Sequence, residues 1–519
     1  MLNQTDAGAV PRRIHHAFSP WAASQPDAIA LTDDLITLRY GELPAAVDAV
    51  AAQMSAAGVR AGDRVLLVAE NAVALAVCIM AISQLDAWSA TVNARLSARE
   101  IDNFLEHSGA RRALYFGTVS PAARAHALAR GAERQLWPVI GEVYLGALNT
   151  GAEPEPVFAD PAHQPAVMVY TSGTTGAPKA VMLSHANLLF IGNNNRLLRK
   201  LGPGDTVYGV LPLSHVYGLS ALLLASLISG AALMLAPRFT EQALAHALAM
   251  RGITVMHGAP PMYAKLLAWS EQTGTPLPAP HLRVAQSGGA PLTAALKSAF
   301  EKTFGVVLQN GYGMTEAAPS ICQTRMEAPR EDCSVGPAIP GVEVRLQGAE
   351  LDEAGVGEIQ VRGPNVMLGY YRAPELTAET LTDDGWLRTG DLARVDADGA
   401  YHVVGRSKEL IIRSGFNVYP VEVEQVLNAH PDVVQSAVVG RAVEGNEEVV
   451  AFVETTQDAA VTVDALRAYL KERLSPYKVP TQITIMQQLP AAPTGKILKK
   501  EATALLKSKN KCSNILIIN

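Results

Sequence analysis

From residue 28 to about 330, short apolar runs alternate with longer segments of helical spacing. Runs rich in Val, Leu and Ile that end in glycine or a polar cluster predict buried strands, and apolar residues recurring every three or four positions predict helices. On this pattern Arg64–Ala69 is a strand and residues 72–85 a helix, residues 166–170 a strand and 186–198 a helix, and residues 206–211 again a strand. Val284–Ser287 and residues 306–310 repeat the strand pattern, each close to Gly-rich sequence. Such alternation predicts a largely parallel sheet covered by helices on both faces, with ligands at the carboxyl ends of the strands.

Beyond Gly341 the texture changes to hairpins over Gly357–Arg362, residues 386–395 and residues 401–404. Asp398-Gly399 is a two-residue turn signal. Pairing Ala397 with Ala400 and stepping back along both strands places Asp391 opposite Arg406 on one sheet face. After Gly405 a smaller unit follows: a helix at 421–429, strands at 433–439, 448–455 and Gln482–Met486, and a helix at 463–474. The predicted fold is α/β: a large N-terminal domain (1–407) of parallel-type sheets covered by helices with a small β-rich subdomain, then a small mobile α+β C-terminal domain (408–506). Residues 507–519 change composition abruptly and read as a tail.

One stretch tests this reading against a membrane protein. Residues 206–237 carry no formal charge over 32 positions. Pro212, Gly218 and Ser229-Gly230 break it, so the longest uninterrupted helix is 219–228, half of what a bilayer needs. It reads as a buried strand, helix and strand. The chain has 519 residues, 49% hydrophobic and 18% charged, which excludes a disordered protein. A net charge of −6 argues against a nucleic-acid partner. Met1 is not followed by a cationic head and apolar run, and Cys78, Cys322, Cys333 and Cys512 have no metal-site spacing, so reduced thiols in a cytoplasmic protein are expected.

The most informative segment is Thr171–Lys179, Thr-Ser-Gly-Thr-Thr-Gly-Ala-Pro-Lys, directly after a predicted strand. Its glycines let the backbone approach a polyphosphate, its hydroxyls donate to phosphate oxygens and its lysine adds a point charge. It is not a Walker A loop, because Gly173 and Gly176 are too close and Pro178 separates glycine from Lys179. Further motifs follow in order: Ser287-Gly-Gly-Ala-Pro291, Tyr312-Gly-Met-Thr-Glu316, Gly385-Trp-Leu-Arg-Thr-Gly-Asp391, Gly405-Arg-Ser-Lys408 with Gly415-Phe-Asn417, and Pro493-Thr-Gly-Lys496. Together they resemble the adenylate-forming superfamily of acyl- and aryl-CoA synthetases, peptide-synthetase adenylation domains and luciferases, over roughly residues 25–500.

The resemblance implies that a carboxylic acid attacks ATP to give an acyl-adenylate and pyrophosphate, and that coenzyme A then takes the acyl group. It implies nucleotide contacts at Thr171, Ser172, Gly173, Thr174, Thr175, Gly176 and Lys179, and at Gly289, Ala290, Pro291, Asn310 and Tyr312. By the same resemblance Asp391 binds the ribose hydroxyls with Arg406 in support, Thr315 touches the α-phosphate and Glu316 approaches Mg²⁺. Lys496 becomes the lysine that bridges carboxylate and α-phosphate, Lys408 the hinge of the small domain and Gly415 a wall of the pantetheine tunnel. Lys499 and Lys500 match no catalytic position and read as surface charge.

Adenylation domains for amino acids usually place an aspartate after the phosphate loop to pair the ammonium group. Here the corresponding stretch is Pro212–Gly218, with His215 and no carboxylate, so an amino acid substrate is disfavoured. His215 falls at the pocket mouth, in a gating or polarising role. Pocket walls are expected from Val216, Tyr217, His257, Gly258, Ser287, Gly288, Gly313, Met314 and Ala318, many of them small. They leave room for an aryl acid or a medium to long fatty acid, in an apolar pocket. Arg283 is a candidate partner for a second carboxylate, as in malonyl-type synthetases. A luciferase-like adenylating oxygenase and a non-catalytic nucleotide-binding relative share the motifs and stand as alternatives.

Overall fold

The computed structural model describes residues 12–171, 179–348, 355–413, 416–443, 446–455, 461–490, 497–499 and 501–502. Two eight-stranded sheets organise the larger part. In the first, strands Thr206–Gly209, Ala232–Leu235, Val255–Gly258, Val284–Ser287 and Leu308–Gly313 run parallel, with Ile29–Thr32 joining beside Ala232–Leu235. In the second, Arg64–Ala69, Trp88–Asn93, Arg112–Tyr115 and Pro165–Thr171 form a parallel centre with antiparallel flanks.

Strand alternation explains the layering. Val65, Leu67, Val207, Leu233 and Val255 turn inward and share one core with helix Val73–Gln84, helix His185–Leu198 and the segment after Tyr217. Leu66, Val68 and Ala90 turn outward beneath helices Ala98–Ser108 and Pro121–Ala129. Tyr208, Met256 and Ala285 do the same beneath helices Glu241–Met250, Pro260–Thr273 and Ala294–Phe304. The result is a helix–sheet–helix–sheet–helix stack, in which strands buried on both faces read as continuous apolar runs. Helix Val73–Gln84 is buried through Ser83 because it lies in the middle layer, which is why it is apolar all round.

A four-stranded sheet, 343–347, 357–362, 387–395 and 401–406, follows. The smaller unit at the end has its own core, formed by Val423, Leu427, Val438, Val449, Ala451, Leu466 and Leu470. Among the described residues no helix is long and apolar enough to cross a membrane.

Three local expectations need correction. The helix expected at 219–228 starts at Tyr217, and its Tyr217–Leu224 part is wound as a π-helix before Ala225–Ser229 continues as α. Gly218 lies so close to Pro212 and Leu211 that a Cβ there would sit 2.2 Å from the Pro212 carbonyl oxygen. The chain must double back on this loop, and the wider π turn absorbs the geometry.

The hairpin turn is the second. Asp396 and Ala400 pair, and Gly399 is left-handed (φ +82°), which makes a three-residue loop rather than a two-residue one. Val395 therefore faces Tyr401 and Ala393 faces Val403, and a bulge then shifts the register so that Leu392 faces Gly405 and Asp391 faces Arg406. The expected pair forms because a longer turn and a bulge offset each other.

Third, Lys499 is not solvated surface charge. Its Nζ lies 2.8 Å from both Glu409 Oε2 and Glu424 Oε1. The Glu424 side chain is itself only 10% exposed, and its Oε1 also accepts from the Val438 N–H.

Candidate active site

The carboxyl ends of the parallel strands carry the candidate residues. Asn71, fully enclosed after strand Arg64–Ala69, organises the loop that holds His215. Its amide donates to the Gly209 and Leu211 carbonyls, and its oxygen accepts from the Leu213 N–H. The His215 N–H then donates to the Pro212 carbonyl, and His215 Nδ1 accepts from the Tyr217 N–H. Tyr217 is thereby aimed at the strand ends. Its ring meets His257 edge-on at 5.8 Å, and a Cβ on Gly288 would stand 3.2 Å from it.

Asp391 is held from two sides. The Tyr312 hydroxyl donates to Asp391 Oδ2 at 2.6 Å, and Arg406 Nε lies 2.9 Å from Oδ1. Asp391 is buried while the Arg406 side chain is half exposed. Burial, reinforced by the Asp391 charge, pushes the Tyr312 hydroxyl far above its ordinary range, so it stays a donor. Asp391 is presented by an irregular strand: Gly390 is left-handed (φ +70°), its N–H donates to Glu358, and the Asp391 N–H donates to the Thr389 hydroxyl.

Further along the Tyr312 segment, Thr315 and Glu316 are buried in a short 3₁₀ turn, Thr315–Ala317. Glu316 Oε1 accepts from the Tyr370 hydroxyl at 2.7 Å, and Lys179 Nζ lies 5.8 Å from the centre of the same ring. Tyr370 reaches this position because strand Gly369–Tyr370 adds to the sheet edge beside Lys179–Ser184. One tyrosine thus links the residue that ends the phosphate loop to the carboxylate expected near the metal. Mg²⁺ commonly takes one or two protein carboxylates together with phosphate oxygens, and a near-buried Glu316 at the end of that loop fits this donor set.

Tyr370 and Asn71 carry no motif signal and were not anticipated. The only trace of the first is the Gly369-Tyr370-Tyr371 run. Thr171 and Lys179 bracket residues 172–178, so Ser172, Gly173, Thr174, Thr175 and Gly176 lie outside the described residues, as do Gly415 and Lys496. Lys408 sits exposed in the turn Ser407–Glu409.

The pocket candidates divide. Gly289, Ala290 and Pro291 follow strand Val284–Ser287 and reach the surface. Tyr217, His257, Ser287 and Gly288 come together at the strand ends, with Met314 packed against the central core. Val216 is wholly buried in that core and Ala318 is fully enclosed. Gly258 leaves space for the Tyr263 ring, and a Cβ on Gly313 would meet the Pro319 carbonyl at 2.0 Å, so these glycines serve packing. Asn310 spends its amide on the Cys333 and Ser334 carbonyls and ties down that loop. Arg283 stands at the opposite, amino end of its strand, bonded to Asp205 and to the Arg199 and Lys200 carbonyls.

The buried surroundings of these candidates are not wholly apolar. His257 is fully buried, and burial, with a further push from the Arg199 charge, holds its imidazole down at about 3. Arg199 is itself fully buried, its guanidinium pulled down to about 10 by burial and still cationic at neutral pH.

Residues 18–371 match the family described as "AMP-binding enzyme", and residues 422–496 the family described as "AMP-binding enzyme C-terminal domain". A "Feruloyl-CoA synthase" of an Amycolatopsis species is 36% identical over 485 residues, covering 92% of this chain and 96% of that protein. ATP-bound MatB from Rhodopseudomonas palustris superposes with a TM-score of 0.82 at 30% identity, over 96% of this chain and 100% of that one. The o-succinylbenzoate coenzyme A synthetase of Bacillus subtilis, solved with ATP and magnesium, superposes with a TM-score of 0.78 at 28% identity, over 94% and 99%.

Proposed function

The chain belongs to the AMP-binding enzyme family, and from that premise we propose an ATP-dependent acid–thiol ligase that makes an acyl- or aryl-CoA through an acyl-adenylate. The observation that carries this reading is Asp391, a buried carboxylate held between Arg406 and the hydroxyl of Tyr312, which lies on the same chain segment as Thr315 and Glu316. Such a carboxylate is an acceptor for two ribose hydroxyls, because charged acceptors make the stronger hydrogen bonds.

In the first half-reaction an oxygen of the acid's carboxylate attacks the α-phosphorus. The bond to the β-phosphate oxygen breaks, and its electron pair leaves with pyrophosphate. Charge accumulates on the phosphoryl oxygens, so pre-placed donors and cations lower the barrier. Thr315, the hydroxyls of Thr171–Thr175, Lys179 and Lys496 supply them in this reading. Glu316, with Tyr370 fixing one of its oxygens, would hold Mg²⁺, which would neutralise phosphate charge when bound. In the second half-reaction the coenzyme A sulfur attacks the acyl carbon, the thiol proton is lost to solvent, and the bond to AMP breaks with its electron pair leaving on AMP.

Domain boundaries follow the same reading. The small domain begins at Lys408, whose torsions exchange Lys496 for a thiol tunnel lined by Gly415. A ring-bearing acid suits the small residues around Tyr217 and Gly288, and the feruloyl-CoA synthase relative supports an aryl substrate. The test is acyl-CoA formation from a panel of benzoates, cinnamates and fatty acids, followed by splitting the half-reactions. Lys496→Ala is expected to lose adenylate formation and keep thioester formation from supplied acyl-adenylate, and Lys408→Pro the reverse. Equal loss of both half-reactions in Lys496→Ala would contradict the assignment.

A further inference from the structure

The chain on either side of Lys408 is fastened to different parts of the molecule. Before it, Arg406 pairs with Asp391 and the Ser407 hydroxyl donates to the Gly390 carbonyl at 3.2 Å, which fixes this side to the four-stranded sheet. After it, Glu409 Oε2 lies 2.8 Å from Lys499 Nζ. The same Nζ lies 2.8 Å from Glu424 Oε1, and that oxygen accepts the Val438 N–H at 2.7 Å. Helix Pro420–Asn428 and strand Val433–Val443 are therefore joined, through one ammonium group, to the first residue beyond Lys408. The Lys499 side chain is 22% exposed. A cation drawn this far from water needs well-placed anions.

Lys499 also stands at the base of a loop. The Leu498 N–H donates to the Pro490 carbonyl at 2.8 Å, and the Leu489 N–H donates to Glu454 Oε2 at 2.7 Å. Leu489 is buried with Ala437, Val450 and Phe452. Pro490 and Leu498 thus close the stretch of chain that contains Pro493-Thr-Gly-Lys496, and Lys499 is the next residue. One arm of that base is held by the core of the small unit, the other by the Glu409 and Glu424 carboxylates. Three peptide units separate Lys499 from Lys496, a reach of at most about 10 Å.

We propose that Lys499 is a positioning residue for adenylate formation: it ties the base of the Lys496 loop to Glu409, so that rotation about Lys408 carries Lys496 with it. The inference rests on the ligase reading above and adds a residue to it. Without the tie, the chain after Lys408 and the chain after Lys496 are free to move apart, and the rotation no longer fixes where Lys496 arrives. The segment leading to Gly415 has fastenings of its own. The Ile412 N–H donates to Glu447 Oε2 at 2.6 Å, and Arg413 Nη1 donates to the Tyr477 and Val479 carbonyls at 2.9 and 2.8 Å. Attack by the thiol therefore does not depend on Lys499.

The experiment measures the two half-reactions separately in the full-length enzyme. One assay is ATP–pyrophosphate exchange with the best acid of the benzoate, cinnamate and fatty-acid panel; the other is thioester formation from supplied acyl-adenylate and coenzyme A. Lys499→Met is expected to lower kcat for exchange by about tenfold to a hundredfold, because displacing a catalytic group by about an ångström costs that much. Its KM for ATP and its rate of thioester formation are expected to stay close to wild type. Lys499→Arg, which keeps the cation, is expected to recover most of the exchange rate. Glu409→Gln, which weakens only the tie to the chain beside Lys408, is expected to show the same split, and it decides where Lys499→Met does not fold. Equal losses in both half-reactions, or exchange at the wild-type rate, would overturn the inference and leave the ligase reading intact. Full exchange in Lys496→Ala would overturn the role given to Lys496, and no exchange by the unaltered enzyme with any acid would overturn the ligase reading; the inference falls with either.

Discussion

Asp391 concentrates most of the site's chemistry at the scale of single residues. Its two oxygens are already engaged by a hydroxyl and a guanidinium, so it is presented in one orientation before a nucleotide arrives. Asp391→Asn is expected to lower kcat/KM for ATP by about a hundredfold or more, and Tyr312→Phe by about tenfold, with circular dichroism unchanged. Pyrophosphate exchange at varied ATP measures both. Asn71 works through the backbone instead, bonding three groups of one buried loop. Asn71→Ala is expected to lose about 2–4 kcal/mol of stability in denaturant titration, because at least two buried groups lose their partners. The candidate nucleotide residues stand out in the sequence because their motifs are contiguous. Asn71 and Lys499 do not, since an asparagine before a helix looks like a cap and a lysine near other lysines looks solvated. Their partners are remote along the chain, at 209–213 for the first and at Glu409 and Glu424 for the second.

Elements were legible where a single period governs the run. Arg64–Ala69, Val284–Ser287, Gly357–Arg362 and Gln482–Met486 form strands with the expected bounds. The misses arise where backbone geometry departs from both periods. In the π-wound Tyr217–Leu224 segment, apolar residues cover every face, so the sequence contains no phase from which to read winding. Gly218→Ala is expected to cost more than about 2 kcal/mol, since its Cβ would strike backbone carbonyls that cannot move aside. Gly252→Ala, left-handed (φ +63°) but in open space, should cost only about 1 kcal/mol. Thermal unfolding of the two variants compares them directly, and equal losses would contradict the steric account. The Asp391–Arg406 pair carries a separate lesson: a turn one residue too long and a compensating bulge preserved a pairing that neither feature alone would give.

For the whole molecule, the scarcity of charge follows from a five-layer stack whose middle layer is largely buried. That same burial sets a pH dependence. His185 lies fully buried in the stack, and burial brings its imidazole from 6.5 to about 2. Between those values the unfolded chain binds a proton that the folded chain refuses, so stability falls as pH drops below about 6.5. Unfolding midpoints measured from pH 7 to pH 4 should therefore decline, and His185→Gln should flatten the decline. Polar side chains gather on the inner face of the first sheet behind Tyr217, where His257, Gln286 and Gln323 each read locally as isolated residues and only the sheet brings them onto neighbouring strands. The central claim, that a carboxylate oxygen attacks the α-phosphorus of ATP, has a direct test. An acid labelled with ¹⁸O in its carboxylate is turned over with ATP and coenzyme A, and the nucleotide product is analysed by mass spectrometry. One labelled oxygen in AMP is the predicted result. Label in inorganic phosphate with ADP as the nucleotide product would contradict it.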